Sequence, residues 1–389
     1  MKKYLVIFFL FSFGRSAAQA NDAELISSLL RDIAAAQVSE NGEFYAGSFN
    51  AYRECAGWPH NYRPDNNVFF TALTVFSLRN MVPWLGDADK RTAAGIIENA
   101  QRVFPHYQDG QGYPYYSFWP TGKGILPHSL FVNRIGLIDM GQDADDAVMS
   151  LMATDAPDST CSVLKKRMMQ VSNLVKKKTN STYPRYRNIA AYSTWLGFGM
   201  KPDFDLGVHC NILYFIFLRK LPLVKQDSAT IRLLGQIIKN RDYVKAPVYI
   251  SPYYARRPVL MYHLARLMGR FRIPELEPYR AQLVNDMQKE LDHTDALMDR
   301  LILSTSLLRL GAKPPPVVIP GITAFEKSGQ QNFIFFQARA AFSYPTPFKQ
   351  VFLHWSYMRY SFFCPVYNKV LWLEYLVERN KKRPGEKQV

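Results

Sequence analysis

The run Gly141-Gln142-Asp143-Ala144-Asp145-Asp146-Ala147-Val148-Met149-Ser150-Leu151-Met152-Ala153 sets three carboxylates within four residues and follows them at once with an apolar segment. Carboxylates at that place face the unsatisfied N–H groups of a helix and the positive end of its dipole, so the run reads as a helix head. The segment behind it is apolar nearly all round, and such a helix has to be covered on every side. Crowding like charges has a second consequence, because it can hold one carboxyl protonated near neutral pH. The triplet therefore reads either as a helix cap or as an acid.

The same grammar recurs along the chain. Apolar helices headed by polar or aromatic loops are expected to start near residues 68, 147, 206, 258, 296 and 366. Amphipathic segments precede five of them: Glu24–Gln37, Arg91–Tyr107, Leu164–Lys178, Ala229–Asn240 and Pro278–Leu291. The first of these carries Leu25, Ile26, Leu29, Leu30 and Ile33 at helical spacing. The separations are too uneven for a strict sequence repeat. An amphipathic helix hides one face while its apolar partner needs cover all round, so the pattern predicts an all-α chain. Its expected form is an (α/α)6 toroid, a barrel with apolar helices inside and amphipathic ones outside; an open solenoid is the alternative. If the inner helices run the same way, their heads meet at one mouth. That mouth would gather Asp65 and Asn66; Asp143, Asp145 and Asp146; Asp203 and Asp205; Tyr253 and Tyr254; His293 and Asp295; and Tyr367, with Trp119 from a preceding loop.

Composition agrees with a globular chain. The 389 residues are 48% hydrophobic and 21% charged, enough for one large domain over residues 21–389 with a substantial core. Residues 1–20 read as a signal peptide: Lys2 and Lys3, an apolar run from Tyr4 to Phe13, and the small-x-small site Ala18-Gln19-Ala20 before Asn21. Cleavage after Ala20 and a periplasmic or secreted location are expected. In that oxidising setting Cys55, Cys161, Cys210 and Cys364 either pair or stay as buried thiols, and they show no C-x-x-C spacing. The net charge of +16 includes the clusters Lys165-Lys166-Arg167, Lys176-Lys177-Lys178 and Lys381-Lys382-Arg383. An exported basic protein meets anionic membrane surfaces or acidic glycans rather than nucleic acid, and a merely solvated basic face is the plain alternative.

His209 sits inside an apolar helix and reads as a core histidine. Asp292-His293-Thr294-Asp295 has too few ligands to make a metal site, and no metal or cofactor is called for. No P-loop, G-x-G-x-x-G, G-x-S-x-G or H-E-x-x-H motif is present, which leaves nucleotide, α/β-hydrolase and zincin chemistry unsupported.

Asp143-Ala144-Asp145-Asp146-Ala147 resembles the D-x-D-D-T-A head of class II terpene cyclases, and the helix pattern resembles the terpenoid cyclase and protein prenyltransferase toroid. The resemblance implies that Asp145 is a general acid protonating an alkene or epoxide, tuned by Asp143 and Asp146, with aromatic faces stabilising the resulting cation. Ala147 stands where the family has threonine, and neither Q-W repeats nor the prenyltransferase zinc set is present. The functional expectation is an exported cyclase-like enzyme acting on an isoprenoid or lipid. The alternatives are a secreted glycan hydrolase or lyase using a carboxylate pair, and a non-catalytic lipid- or glycan-binding envelope protein.

Overall fold

The structure, a computed structural model, describes residues 22–121, 142–197, 200–319, 321–328, 332–339 and 348–381. The signal peptide expected over residues 1–20 lies outside them. The chain is mostly helical. In order, the long helices are α1 (22–35), α2 (Phe69–Met81), α3 (Asp87–Ala100), α4 (Ala144–Thr154), α5 (Asp158–Val171), α6 (Leu206–Leu218), α7 (Lys225–Asn240), α8 (Arg257–Arg270), α9 (Arg280–Asp292), α10 (Leu297–Arg309) and α11 (Pro365–Asn380).

Two kinds of helix alternate. In α4 every residue from Ala144 to Ala153 is buried, and in α6 every residue from Leu206 to Ile216. In α8 the fully buried run is Pro258–Met268 and in α11 it is Val366–Val377. By contrast α3 buries only Ala93, Ile96 and Ala100, and α9 only Leu283, Asp286, Met287 and Leu291, one stripe at helical spacing. Each fully buried aliphatic or phenyl side chain contributes about 1.5–3 kcal/mol, so the apolar helices hold most of the core energy.

The buried helices pack in a cyclic order. Helix α2 lies against α4, α4 against α6, α6 against α8, α8 against α10, α10 against α11, and α11 returns to α2. The striped helices cover them from outside: α3 on α2, α5 on α4, α7 on α6, and α9 on both α8 and α10. Helix α1 is tied to α11 by the ion pairs Asp32–Lys369 and Asp22–Arg379.

One feature differs from the all-helical expectation. Strands β1 (Tyr52–Cys55), β2 (Arg63–Pro64), β3 (Phe336–Arg339) and β4 (Arg359–Phe363) form an antiparallel sheet in the order β2-β1-β4-β3. Strands this short carry little periodic signal, and their register joins opposite ends of the chain, Cys55 with Tyr360. The basic amphipathic segment expected over Leu164–Lys178 also begins earlier and ends at Val171, so Lys176-Lys177-Lys178 lies in the turn beyond it. All four cysteines are free thiols, three of them buried. Among the described residues no helix is long and apolar enough to cross a membrane.

Polar side chains lace the buried helices together. Asn211 of α6 donates to Asp145 Oδ1 of α4 at 2.6 Å and accepts from Arg266 of α8. The Arg266 guanidinium lies over the rings of Phe76 in α2 and Tyr262 in α8, at 5.1 and 5.4 Å. Tyr262 donates to Glu374 Oε2 of α11 at 2.6 Å, and Arg309 of α10 is ion-paired with the same carboxylate. Removing one partner of a buried charge pair strands the other. Glu374→Ala is therefore expected to lower the free energy of unfolding by about 3–5 kcal/mol, read from urea denaturation; a loss under about 1 kcal/mol would show that the pair is not buried as described.

Candidate active site

The heads of the buried helices are joined by backbone and side-chain hydrogen bonds. Asp143 takes the extended conformation of an N-cap, and its Oδ1 accepts from the Asp146 N–H at 2.7 Å. Ala144 N donates to the Thr194 carbonyl at 2.8 Å and Leu196 N to the Gln142 carbonyl at 2.9 Å, pairing the head of α4 with the loop before α6. Asp205 caps α6 by accepting from the N–H groups of Gly207 at 2.8 Å and Val208 at 3.2 Å. Its carboxylate also accepts from Ser251 Oγ at 2.6 Å and from the Tyr253 N–H at 3.0 Å, which brings in the loop before α8. From that loop Tyr254 donates to Asp145 Oδ2 at 2.5 Å. A Cβ at position 207 would collide with the Tyr254 ring, so the glycine there is what lets the tyrosine reach the acid.

Aromatic rings lead from Tyr254 outward. Phe69 lies 6.5 Å from Tyr254 and Phe336 5.0 Å from Phe69, between ring centroids. Phe118 packs on Phe336 at 5.6 Å and Trp119 on Phe118 at 4.9 Å. Trp119 Nε1 donates to the buried Asp65 carboxylate at 3.2 Å, and Arg53 pairs with Asp65 at 3.5 Å. Asn67, rather than Asp65, supplies the capping oxygen of α2, accepting from Phe70 N at 3.3 Å. Asn66 accepts from Tyr107 Oη at 2.5 Å.

Burial sets the acidities. It raises the Asp145 carboxyl above the usual carboxylate range, against the hydrogen bonds from Tyr254 and Asn211 and the charge of Arg266, which lower it. Asp143 is raised by burial and then by the charge of Asp145, and Asp146 by burial and both neighbours. Asp205 is pushed to about 7, mainly by burial, with Asp145 adding to it. Both Asp145 oxygens accept from donors and Arg266 lies behind Asn211, so negative charge is best held on Asp145. Asp143, which accepts from the backbone N–H groups of Asp146 and Asp145, and Asp146, which burial and both neighbouring charges raise well above the usual range, therefore hold the proton between them.

No family model, curated protein or solved structure matches this chain. The site therefore rests on its own geometry.

That geometry brings together Asp143, Asp145, Asp146, Asp203, Asp205, Tyr253 and Tyr254. Asp203 is buried, accepts from Ser181 Oγ at 2.5 Å and lies 3.8 Å from Lys349 Nζ. Tyr253 packs its ring on Trp195 at 6.2 Å between centroids. Tyr367 is buried between Phe70 and Phe335, at 5.8 and 5.1 Å. His293 and Asp295 do not join the cluster. Both are exposed, and His293 Nδ1 lies 2.6 Å from the Lys289 carbonyl, where it closes the end of α9. The first acid of α10 to face the interior is Asp299, paired with Arg256. His209 is a core residue beside the Tyr192 carbonyl, held neutral by burial. Among the described residues no group of three or more His, Cys, Asp or Glu is placed to hold a metal.

Three contributors escaped the sequence reading. Asn211 carried a signal, since it is a lone amide inside an apolar helix. Arg266 and Lys349 carried none, because a basic residue in a helix reads as exposed unless its tertiary partners are known.

A carboxyl whose folded acidity is weaker than its unfolded one binds its proton more tightly in the folded state. Its ionisation then costs stability as pH rises from about 4 to about 7. Asn caps a helix as well as Asp does. Asp143→Asn is therefore expected to gain stability over the wild type across that window, by on the order of 1 kcal/mol at pH 8. Urea unfolding of both proteins at several pH values measures the difference, in which the opposite contribution of neutral His209 cancels. A difference of the other sign would mean that Asp143 is stabilised as an anion.

Proposed function

We propose that this chain is an exported (α/α)6 toroid whose mouth carries an acid site for an isoprenoid or another alkene-bearing lipid. Asp143 gives the proton, and Asp145 is its anchored partner. What supports this reading is the convergence of the D-x-D-D carboxyls with Asp205 and Tyr254 at one set of helix heads, their acidities weakened by burial. The cyclic packing of the buried helices supports the toroid. The resemblance assigns the proton to Asp145; the donors on both of its oxygens favour a neighbour instead, and Asp143, which keeps some exposure while Asp146 is buried, is the one a substrate can reach.

The chemistry follows from placement. A proton leaves Asp143 for the alkene, and the cation formed is attracted to the faces of Phe69, Phe118, Phe336 and Trp119. The ring axis is closed to that cation by the fixed positive charge of Arg266, so the substrate lies above Asp145, in the mouth. Export through residues 1–20 would place this site in the periplasm or outside the cell, with a lipid or a glycan as its small-molecule ligand.

The same filled axis favours a second reading, a glycan-active enzyme or a lipid- or glycan-binding envelope protein, because neither needs a deep chamber. One experiment separates them. Purified protein is incubated with a panel of isoprenoid alkenes in deuterated water, and deuterium in the hydrocarbon is read by mass spectrometry. Incorporation that falls about 100-fold or more in Asp143→Asn supports the acid role, as expected for loss of a positioned proton donor. No incorporation from any isoprenoid, with a sugar co-purifying in native mass spectrometry, supports the second reading.

A further inference from the structure

Between α5 and the loop that pairs with Asp143, the chain makes a tight tip, Ser172-Asn173-Leu174-Val175-Lys176-Lys177-Lys178. Its base is firmly held. The buried Asn173 side chain donates to the carbonyls of Arg187 at 3.0 Å and Ile189 at 2.7 Å, and accepts from Thr179 N at 2.7 Å. Leu174 N donates to the Lys177 carbonyl at 2.9 Å, and Lys176 Nζ donates to the Gly197 carbonyl at 2.7 Å.

On this base Leu174 sits at φ 68°, the left-handed region that branched apolar side chains avoid. Leu174 is 45% exposed and Val175 52% exposed. A rigid turn that strains its backbone and holds two aliphatic side chains in water gains nothing for the fold, and such strain collects at functional positions. Basic groups surround the pair. Lys177 and Lys178 are exposed, and Arg167 of α5 lies over the Tyr115 ring at 5.2 Å. Tyr115 stacks at 5.5 Å on Tyr113, which is 48% exposed. Asn173 N donates to the Ala191 carbonyl at 3.0 Å, and the segment from Ala191 runs on to Trp195, the backbone partner of Asp143. The patch therefore stands beside the mouth.

We propose that Tyr113, Leu174 and Val175, framed by the exposed Lys177 and Lys178, dock this protein on an anionic lipid bilayer. Aliphatic side chains at a loop tip enter the headgroup boundary, tyrosine sits at its level, and lysines and arginines meet anionic headgroups. The net charge of +16 extends that attraction beyond contact distance. A sugar surface would call for flat rings paired with carboxylates or amides, whereas this patch has aliphatic tips ringed by cations. Docking would bring the mouth to the membrane that supplies a lipid. The surface itself stands whether or not the acid chemistry does.

The test is sedimentation of the purified full-length mature protein with phosphatidylglycerol/phosphatidylethanolamine vesicles and with phosphatidylcholine vesicles. The wild type is expected to bind the anionic vesicles, more weakly as salt rises, and to bind neutral ones at least tenfold more weakly. Leu174→Ser with Val175→Ser, and separately Lys177→Ser with Lys178→Ser, are expected to weaken anionic binding at least tenfold. Leu174→Gly removes the backbone strain, so it should keep or raise the thermal midpoint while weakening vesicle binding, which separates docking from folding. Asp143→Asn should bind vesicles as the wild type does, so the acid reading and the docking reading fail independently. Wild-type protein that ignores anionic vesicles, variants that bind them unchanged, or variants that instead lose binding to an acidic polysaccharide would overturn the proposal.

Discussion

A guanidinium buried at the centre of the helical core is the constraint from which the rest of this structure follows. Among the described residues Arg266 is ion-paired with no carboxylate; it reaches Asn211, which in turn holds Asp145. Placing a cation in a low-dielectric interior costs several kcal/mol unless hydrogen bonds and ring faces offset it, and here an amide and the faces of Phe76 and Tyr262 do so. Those partners come from α2, α6 and α8, and the Tyr262–Glu374–Arg309 contacts extend the chain to α10 and α11. The helices are thus fixed in azimuth as well as in contact. Apolar packing alone would tolerate sliding, while a directional network accepts one arrangement.

That constraint reaches the candidate site through Asp145. Its two oxygens are held by Asn211 and Tyr254, so the carboxyl cannot turn without breaking a buried hydrogen bond. Tyr254 is positioned by the close approach that Gly207 permits, and Gly207 lies in the first turn of the helix that Asp205 caps. Capping and weakened acidity therefore occur together in these carboxylates. Asp143 and Asp205 accept from helix N–H groups, which favours their anions, while burial outweighs those bonds and weakens their acidity.

The helix heads also depend on segments far from these helices. Phe335, just before β3, packs on Tyr254 and Phe336, the first residue of β3, on Phe69, and the Gln337 N–H donates to the Tyr253 carbonyl at 2.7 Å. Lys349 is fully buried, donates to the Ser181 carbonyl at 2.7 Å and holds its charge near Asp203. Burial lowers the basicity of that lysine, and Asp203 and Asp205 offset the effect. The late segment that carries β3, Lys349 and β4 thereby closes over the heads of helices formed much earlier in the chain.

Much of the helical plan was legible in the residues. Apolar helices expected near 206, 258, 296 and 366 begin at Leu206, Arg257, Leu297 and Pro365, because a segment apolar all round can only be a covered helix. The Asp143 and Asp205 heads were legible for the same local reason, an acid directly ahead of an apolar run. What the sequence could not decide was which heads meet. His293 and Asp295 look like the others in composition, yet they stay at the end of α9 in solvent, while Asp299, in the first turn of α10, faces inward. Likewise Arg266, Lys349 and the four-stranded sheet have no local signature. Their energies come from partners tens to hundreds of residues away, such as Ser181 for Lys349 and β4 for β1. Local hydrogen bonding and periodicity fix where helices start; only the tertiary fold decides which buried charges find a partner, and those pairings decide which helix heads meet.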